Sequence, residues 1–153
     1  MKFPIEFEIV SKILPQKYPF QFVDKVLTFI KNESITTCKT FKIDEFYFQG
    51  HFPSRPVVPG VLLIENMAQS AGLLFALNEN GIINEYINAS GKVSLGIVKK
   101  VHFKKAVFPG NCIETRIDVI RIISTGVIVS ALIRVNQEFC AKGKLSLSLL
   151  EPK

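Results

Sequence analysis

A histidine and a glutamate are spaced in this sequence in a way that suits acid–base chemistry. His51 lies in a proline-rich loop that leads directly into the most apolar segment of the chain, a helix predicted from Pro59 to Asn78. Glu65 is the only ionisable residue between positions 61 and 77 of that helix. Burial among apolar side chains raises the pKa of a carboxyl, and an imidazole titrates near neutrality. The two residues therefore have the properties of a general acid and a general base.

The start of the predicted helix offers a third catalytic component. Pro59 suits the first helical position, where a backbone N–H is not needed, and Gly60 lets a ligand approach the free amides of the first turn. Such amides stabilise a developing oxyanion. A purely structural alternative also fits the sequence, in which Glu65 is hydrogen-bonded to Asn66, to Gln69 or to a neighbouring strand.

The elements that must position these residues are predicted from periodicity and from proline and glycine punctuation. They are a short helix over Ile5–Leu14, a hairpin of strands over Gln21–Phe29 and Ser34–Lys42, a helical turn over Ile43–Phe48, a mobile connection over Asn78–Ser90, and strands over Lys92–Lys105, Asn111–Ser124, Val127–Asn136 and Phe139–Leu150. Polar and apolar residues alternate in the last strand, which is typical of a sheet with one wet face and one packed face. We predict an α+β fold in which a curved antiparallel sheet wraps around one long apolar helix.

Length and composition indicate one compact domain over residues 1–153, with 48% apolar and 21% charged residues. The net charge is +6, but no arginine-rich block or basic helix indicates nucleic-acid binding. Basic residues concentrate around His102, and they are either a solvated strand edge or a docking surface for an acidic carrier protein: Lys99, Lys100, Lys104 and Lys105.

Targeting and metal signals point to a simple cytoplasmic protein. The first residues do not form the apolar core of a secretory signal, and polar residues from Glu65 to Ser70 interrupt the long helix, so we predict no membrane span. The cysteines Cys38, Cys112 and Cys140 are not spaced as zinc ligands and are predicted to be reduced core residues. With two histidines in the chain, we expect neither a metal nor a cofactor.

Several motifs of this sequence resemble the 3-hydroxyacyl-acyl-carrier-protein dehydratases of type II fatty-acid synthesis. The likeness runs over almost the whole chain and is carried by Tyr18–Phe20, by Phe48–Ser70 with its His-Phe-Pro and Pro-Gly steps, by Gly96-Ile97 and by Phe103–Gly110. The resemblance implies the hot-dog fold. It also implies a homodimer in which two sheets join edge to edge, and commonly a hexamer built as a trimer of dimers.

The same resemblance implies an activity and a set of site residues. The activity is dehydration of a (3R)-3-hydroxyacyl thioester to the trans-2-enoyl thioester, on a chain linked through phosphopantetheine to acyl carrier protein. His51 would take the C2 proton, Glu65 of the partner subunit would protonate the leaving hydroxyl, and the Gly60 N–H would bind the thioester oxygen. The expected substrate-binding residues, several of which fit core packing equally well, are Gly60, Phe52, Val58, Pro59, Leu62 and Gln69.

Three departures from the family pattern leave acyl-chain length and pathway open. Ser54 stands where the family usually has Gly, and Asn66 where it more often has a small or acidic residue. The run from Val98 to Phe103 is one position longer than usual, which predicts a bulge and an altered tunnel wall. Two rival functions are an acyl-thioester hydrolase of the same fold and a non-catalytic carrier-binding subunit; the presence of both His51 and Glu65 favours the dehydratase.

Overall fold

The computed structural model describes residues 2–80 and 93–149. The elements in chain order are α1 (Phe7–Ile13), β1 (Lys25–Ile30), β2 (Ser34–Thr40), the 3-10 turn η1 (Phe46–Gln49), α2 (Gly60–Asn80), β3 (Val93–Phe103), β4 (Cys112–Ile123), β5 (Gly126–Val135) and β6 (Glu138–Leu149). The strands form one antiparallel sheet in the order β1-β2-β4-β5-β6-β3. Each predicted element is present, with shifted ends.

The sheet turns one apolar face towards α2. In β5 the buried residues Val127, Val129, Ala131 and Ile133 alternate with side chains on the opposite, more exposed face. The helix contacts β2, β3, β4, β5 and β6, so the sheet wraps around it. The predicted arrangement of a curved sheet around one long helix, the hot-dog fold, is therefore confirmed.

The helix α2 is the centre of the core. Its fully buried apolar residues include Met67, Leu73, Leu74 and Leu77. By length and composition alone the stretch Gly60–Asn78 is apolar enough to cross a membrane, but 56% of it is buried inside the domain. This burial is what the core helix of a folded domain requires.

A cluster of buried polar side chains joins α2 to the sheet. Asn66 donates from Nδ2 to the carbonyl of Phe22 (2.6 Å) and accepts at Oδ1 from the Thr115 hydroxyl (2.6 Å). One turn later, Ser70 Oγ lies 2.8 Å from Thr37 Oγ1 and also bonds the Asn66 carbonyl. Asn66, Ser70, Thr37 and Thr115 are all buried, and each bond satisfies a polar atom that water cannot reach.

Two of the shifted boundaries are explained by hydrogen bonds that the predicted elements would not make. The first strand begins at Lys25 rather than Gln21, since the backbone of Phe22 bonds side chains of α2 instead of a strand. The first helix begins at Phe7 rather than Ile5, since Ile5 forms a β-bridge with Val26 through bonds of 2.8 and 3.0 Å.

The limits of α2 also differ slightly from the prediction. It begins at Gly60, and the carbonyl of Pro59 accepts the first helical bonds from Leu62 and Leu63. It continues to Asn80, two residues beyond the predicted end, and residues 81–90 of the connection predicted over Asn78–Ser90 lie outside the described part of the chain.

The edge strand β3 contains the predicted bulge. Its register with β6 shifts between Leu95 and Ile97 and again between Lys99 and His102, and Lys100 has a φ of 50°. His102 and the neighbouring lysines are exposed, as expected for a strand edge.

The prediction that all three cysteines belong to the core was wrong for one of them. Cys140 is buried and Cys38 half-buried, but Cys112 is exposed. The reason is strand alternation, because Ile113 takes the inward position at the start of β4 and turns Cys112 outward. All three are free thiols.

Candidate active site

The loop from His51 to Val57 fixes the orientation of the imidazole. The Val57 N–H donates to the His51 carbonyl at 3.0 Å, and His51 Nδ1 lies 2.9 Å from the Val57 carbonyl oxygen. A carbonyl only accepts, so Nδ1 is the donor in this contact. In the neutral ring the proton is therefore on Nδ1, and Nε2 keeps the lone pair that a general base needs.

The neighbours of His51 attach the loop to the rest of the domain. The ring stacks on Phe52 with centroids 4.1 Å apart, and Phe52 is itself 53% exposed. Val58 is buried, and its N–H donates to the Val107 carbonyl at 2.8 Å. Pro59 is buried as well. The loop is thus fixed at His51 by the bonds to Val57 and at Val58 by the bond to Val107, before α2 begins.

Gly60 lies at the first turn of α2, beside an open cavity of about 340 Å³. The first helical bonds are donated by Leu62 and Leu63, and the Gly60 N–H has no acceptor among residues 2–80 and 93–149. A side chain at position 60 would meet the Phe103 ring at 3.1 Å, so only glycine fits here without a shift. The rim of the cavity carries Lys104 and Lys105.

Glu65 is half-buried and lines a separate slot of about 180 Å³. The slot is bounded by the Val93–Leu95 end of β3, by β6 at Leu147 and by the segment before β1. Burial raises the pKa of the Glu65 carboxyl above its usual value of 4.5, while the hydrogen bond from Gln69 acts in the opposite direction. Burial dominates, so the carboxyl keeps its proton to higher pH than an exposed one and suits a general acid.

Gln69, one turn beyond Glu65, has every polar group engaged within the chain. Its Nε2 donates to Glu65 Oε1 and to the Phe20 carbonyl, each at 2.9 Å, and its Oε1 accepts from the Phe22 N–H at 2.7 Å. The hydrogen bond to Gln69 that a purely structural Glu65 would make is thus present, and the pKa of Glu65 is raised as well. Gln69 itself has no free group to offer a substrate directly.

The site residues predicted from the sequence fall into two groups within one chain. His51, Phe52, Val58, Pro59 and Gly60 are consecutive parts of the loop and helix start, whereas Glu65 and Gln69 line the slot. No hydrogen bond joins His51 to Glu65 in the described residues, and His51 does not line the slot. Leu62 packs against the core and lines neither cavity.

Two further residues of the site were missed by sequence reasoning. Gln16 lines the Glu65 slot, and its side-chain oxygen is buried without a hydrogen-bond partner in the described part of the chain. Phe103 covers Gly60 from β3. Neither contact has a local signal, because both depend on pairing between distant segments.

Comparison with known proteins identifies the family of this chain. A family model described as a FabA-like domain matches residues 14–144. The 3-hydroxyacyl-[acyl-carrier-protein] dehydratase FabZ of Chlamydia pneumoniae is 39% identical over 91% of this chain and 88% of its own length. The corresponding FabZ of Chlamydia abortus is 37% identical over 97% of this chain and 94% of its own.

A solved structure supports the fold independently of close sequence similarity. The dehydratase heterocomplex ApeI:P from Xenorhabdus doucetiae aligns over 100% of this chain and 93% of the compared chain, with a TM-score of 0.74 and 17% identity. At that identity the likeness concerns the fold alone. The match over residues 14–144 and the similarity to the FabZ proteins together show that this chain belongs to the FabA-like family.

Proposed function

We propose that this protein dehydrates (3R)-3-hydroxyacyl-acyl carrier protein to trans-2-enoyl-acyl carrier protein in fatty-acid biosynthesis. The observation that carries the proposal is a half-buried Glu65 with a raised pKa in a chain that also orients His51 as a base. Proteins named for this activity are 39% and 37% identical to it over nearly the whole chain.

The three groups account for the two difficult parts of the reaction. His51 Nε2 removes the weakly acidic C2 proton, while the Gly60 N–H binds the thioester oxygen on which negative charge develops. Glu65 transfers its proton to the C3 hydroxyl, and the C3–O bond breaks to release water. A proton then passes from the imidazolium back to the Glu65 carboxylate, which restores both groups.

We propose that each active site combines His51 and Gly60 of one subunit with Glu65 of the other. The edge strand β3 supports a dimer through its free side, because its apolar residues are unusually exposed: Leu95 39%, Ile97 52%, Val98 41% and Phe103 50%. Two copies of an edge strand related by a two-fold axis pair antiparallel. The Leu95 end of one β3, beside the Glu65 slot, then faces the Phe103 end of the other, beside Gly60.

The family resemblance also suggests an oligomeric state, a cellular location and a domain organisation. It favours a hexamer built from three such dimers and a cytoplasmic location, and it favours one hot-dog domain over residues 1–153. These three points stay predictions.

The proposed partner is acyl carrier protein, whose acidic surface and phosphopantetheine arm require a basic docking surface. Lys104 and Lys105 lie on the rim of the Gly60 cavity and are exposed. Lys105 is paired with Glu138 at 2.6 Å, and the Lys104 ammonium lies 5.6 Å from the Phe139 ring centroid. We propose that both cations attract the phosphate of the arm as it enters.

The direct test is incubation of the purified protein with 3-hydroxyacyl and trans-2-enoyl thioesters, with absorbance of the conjugated product as the readout. We expect interconversion that falls by at least about a hundredfold in His51→Ala and in Glu65→Gln. The control Glu8→Gln changes an exposed carboxyl of α1 and should be fully active. Thioester cleavage without interconversion would indicate a hydrolase, and activity retained in both variants would place the site elsewhere.

A further inference from the structure

The amide of Gln69 can be placed in only one orientation. Its oxygen faces the Phe22 N–H at 2.7 Å, and its nitrogen faces the Phe20 carbonyl at 2.9 Å. A flipped amide would put donor against donor at Phe22 and acceptor against acceptor at Phe20. The backbone of this segment therefore decides which atom of Gln69 meets Glu65.

The atom that meets Glu65 is a donor. Gln69 Nε2 lies 2.9 Å from Glu65 Oε1, so this oxygen accepts an N–H bond whether or not the carboxyl is ionised. A proton on Oε1 would compete with that bond. The transferable proton of Glu65 therefore belongs on Oε2.

We propose that Gln69 is a positioning residue for the dehydration: its side-chain N–H holds Glu65 Oε1, so that Oε2 carries the proton delivered to the leaving hydroxyl. This inference rests on the proposed function for its role in turnover. Gln69 does not touch the substrate, since its oxygen and both N–H groups are engaged within the chain. The role proposed here is indirect and differs from the substrate-binding role predicted from the sequence.

Gln69 is the side chain hydrogen-bonded to Glu65 in the described part of the chain. The other residues that line the slot, from the segment before β1, from α2, β3 and β6, are uncharged in the described part of the chain. In the proposed dimer the titratable group that we place opposite Glu65 is His51 of the partner subunit. An imidazole acting as base limits the rate at low pH, whereas loss of the Glu65 proton limits it at high pH. The high-pH limb of the rate profile therefore reports on Glu65.

The test compares three variants of matched shape. Gln69→Met removes the hydrogen bonds, and Gln69→Glu keeps an acceptor for Phe22 but places a second carboxyl beside Glu65. Gln21→Met is the control, because Gln21 is another buried amide, located between Phe20 and Phe22. It bonds Ser11 and the Val23 carbonyl and has no bond to Glu65 in the described residues.

We expect Gln69→Met to lower kcat about tenfold or more and to move the high-pH limb of kcat/KM to higher pH, because the carboxylate loses its donor. Gln69→Glu should move that limb further, since two adjacent carboxyls resist ionisation together. Gln21→Met should lower the melting temperature and leave the limb unchanged. An unchanged limb in both Gln69 variants, or the same shift in Gln21→Met, would overturn the proposal.

A second readout separates this inference from the proposed function. Infrared titration of the protonated Glu65 carbonyl band, identified by its loss in Glu65→Gln, follows the carboxyl without any turnover. A higher pKa of Glu65 in Gln69→Met than in the unchanged protein supports the positioning role even if the protein fails to dehydrate thioesters. An equal pKa in the two proteins refutes it even if dehydration is observed.

Discussion

If each active site is shared between two subunits, two inactive variants should restore each other's activity. His51→Ala lacks the base in both sites of its dimer, and Glu65→Gln lacks the acid in both. In a mixed dimer one site has both altered residues, and the other has an intact histidine and an intact glutamate. Random re-association makes about half of all dimers mixed, each with one working site of two, so activity should recover to about a quarter of the unchanged protein.

The assay requires confirmed exchange of subunits. The two variants carry different affinity tags, are refolded together, and the doubly tagged fraction is measured before turnover of the enoyl thioester is followed. Glu65→Gln mixed with the double variant His51→Ala/Glu65→Gln is the control, since no combination of these chains contains an intact site. Activity no higher than that of the two parents, in a sample shown to contain mixed dimers, would refute the shared site.

Three further predictions concern stability and docking. Asn66→Leu should lower the free energy of unfolding by about 2–4 kcal/mol in urea titration, because it leaves the Phe22 carbonyl and the Thr115 hydroxyl buried and unsatisfied. The pKa of Glu65 is raised on folding, so its contribution to stability is present below pH 4.5 and is lost as pH rises through the folded pKa. Glu65→Gln should therefore melt at a higher temperature than the unchanged protein at alkaline pH, with the difference shrinking towards pH 4.5; a difference independent of pH would contradict this. Lys104→Glu with Lys105→Glu should raise KM about tenfold for the carrier-bound substrate but not for the N-acetylcysteamine thioester, and an equal rise for both would argue against carrier docking.

Much of the fold follows from local signals in the sequence. The prolines and Gly60 mark the end of the His51 loop and the start of α2, and apolar alternation marks the strands, because these patterns depend on neighbours close in the chain. The bulge in β3 was predictable from the family resemblance, because the run Val98–Phe103 is one residue longer than the family pattern and an extra residue in a paired strand breaks the register.

The contacts that orient the site could not be predicted, because they join distant positions. Gln69 bonds Phe20 and Phe22, which lie 49 and 47 residues earlier, and this pairing also prevents the first strand from starting at Gln21. Strand alternation around Cys112 could be read from the sequence only with the correct register. The sharing of a site between subunits came from the family resemblance and has no signature in the periodicity of one chain.

The rotation of α2 shows how these distant contacts determine the chemistry. A helix that is apolar on nearly every side can bury an equally apolar face after a turn of about 100°, the angle between successive residues. Asn66 and Ser70 exclude that alternative, because turning them away from Thr115, Phe22 and Thr37 would leave several buried polar groups unsatisfied at about 1–3 kcal/mol each. Glu65 is the neighbour of Asn66, so fixing Asn66 against the sheet turns Glu65 towards the slot. The polar residues that interrupt this apolar helix are thus the ones that aim its carboxyl.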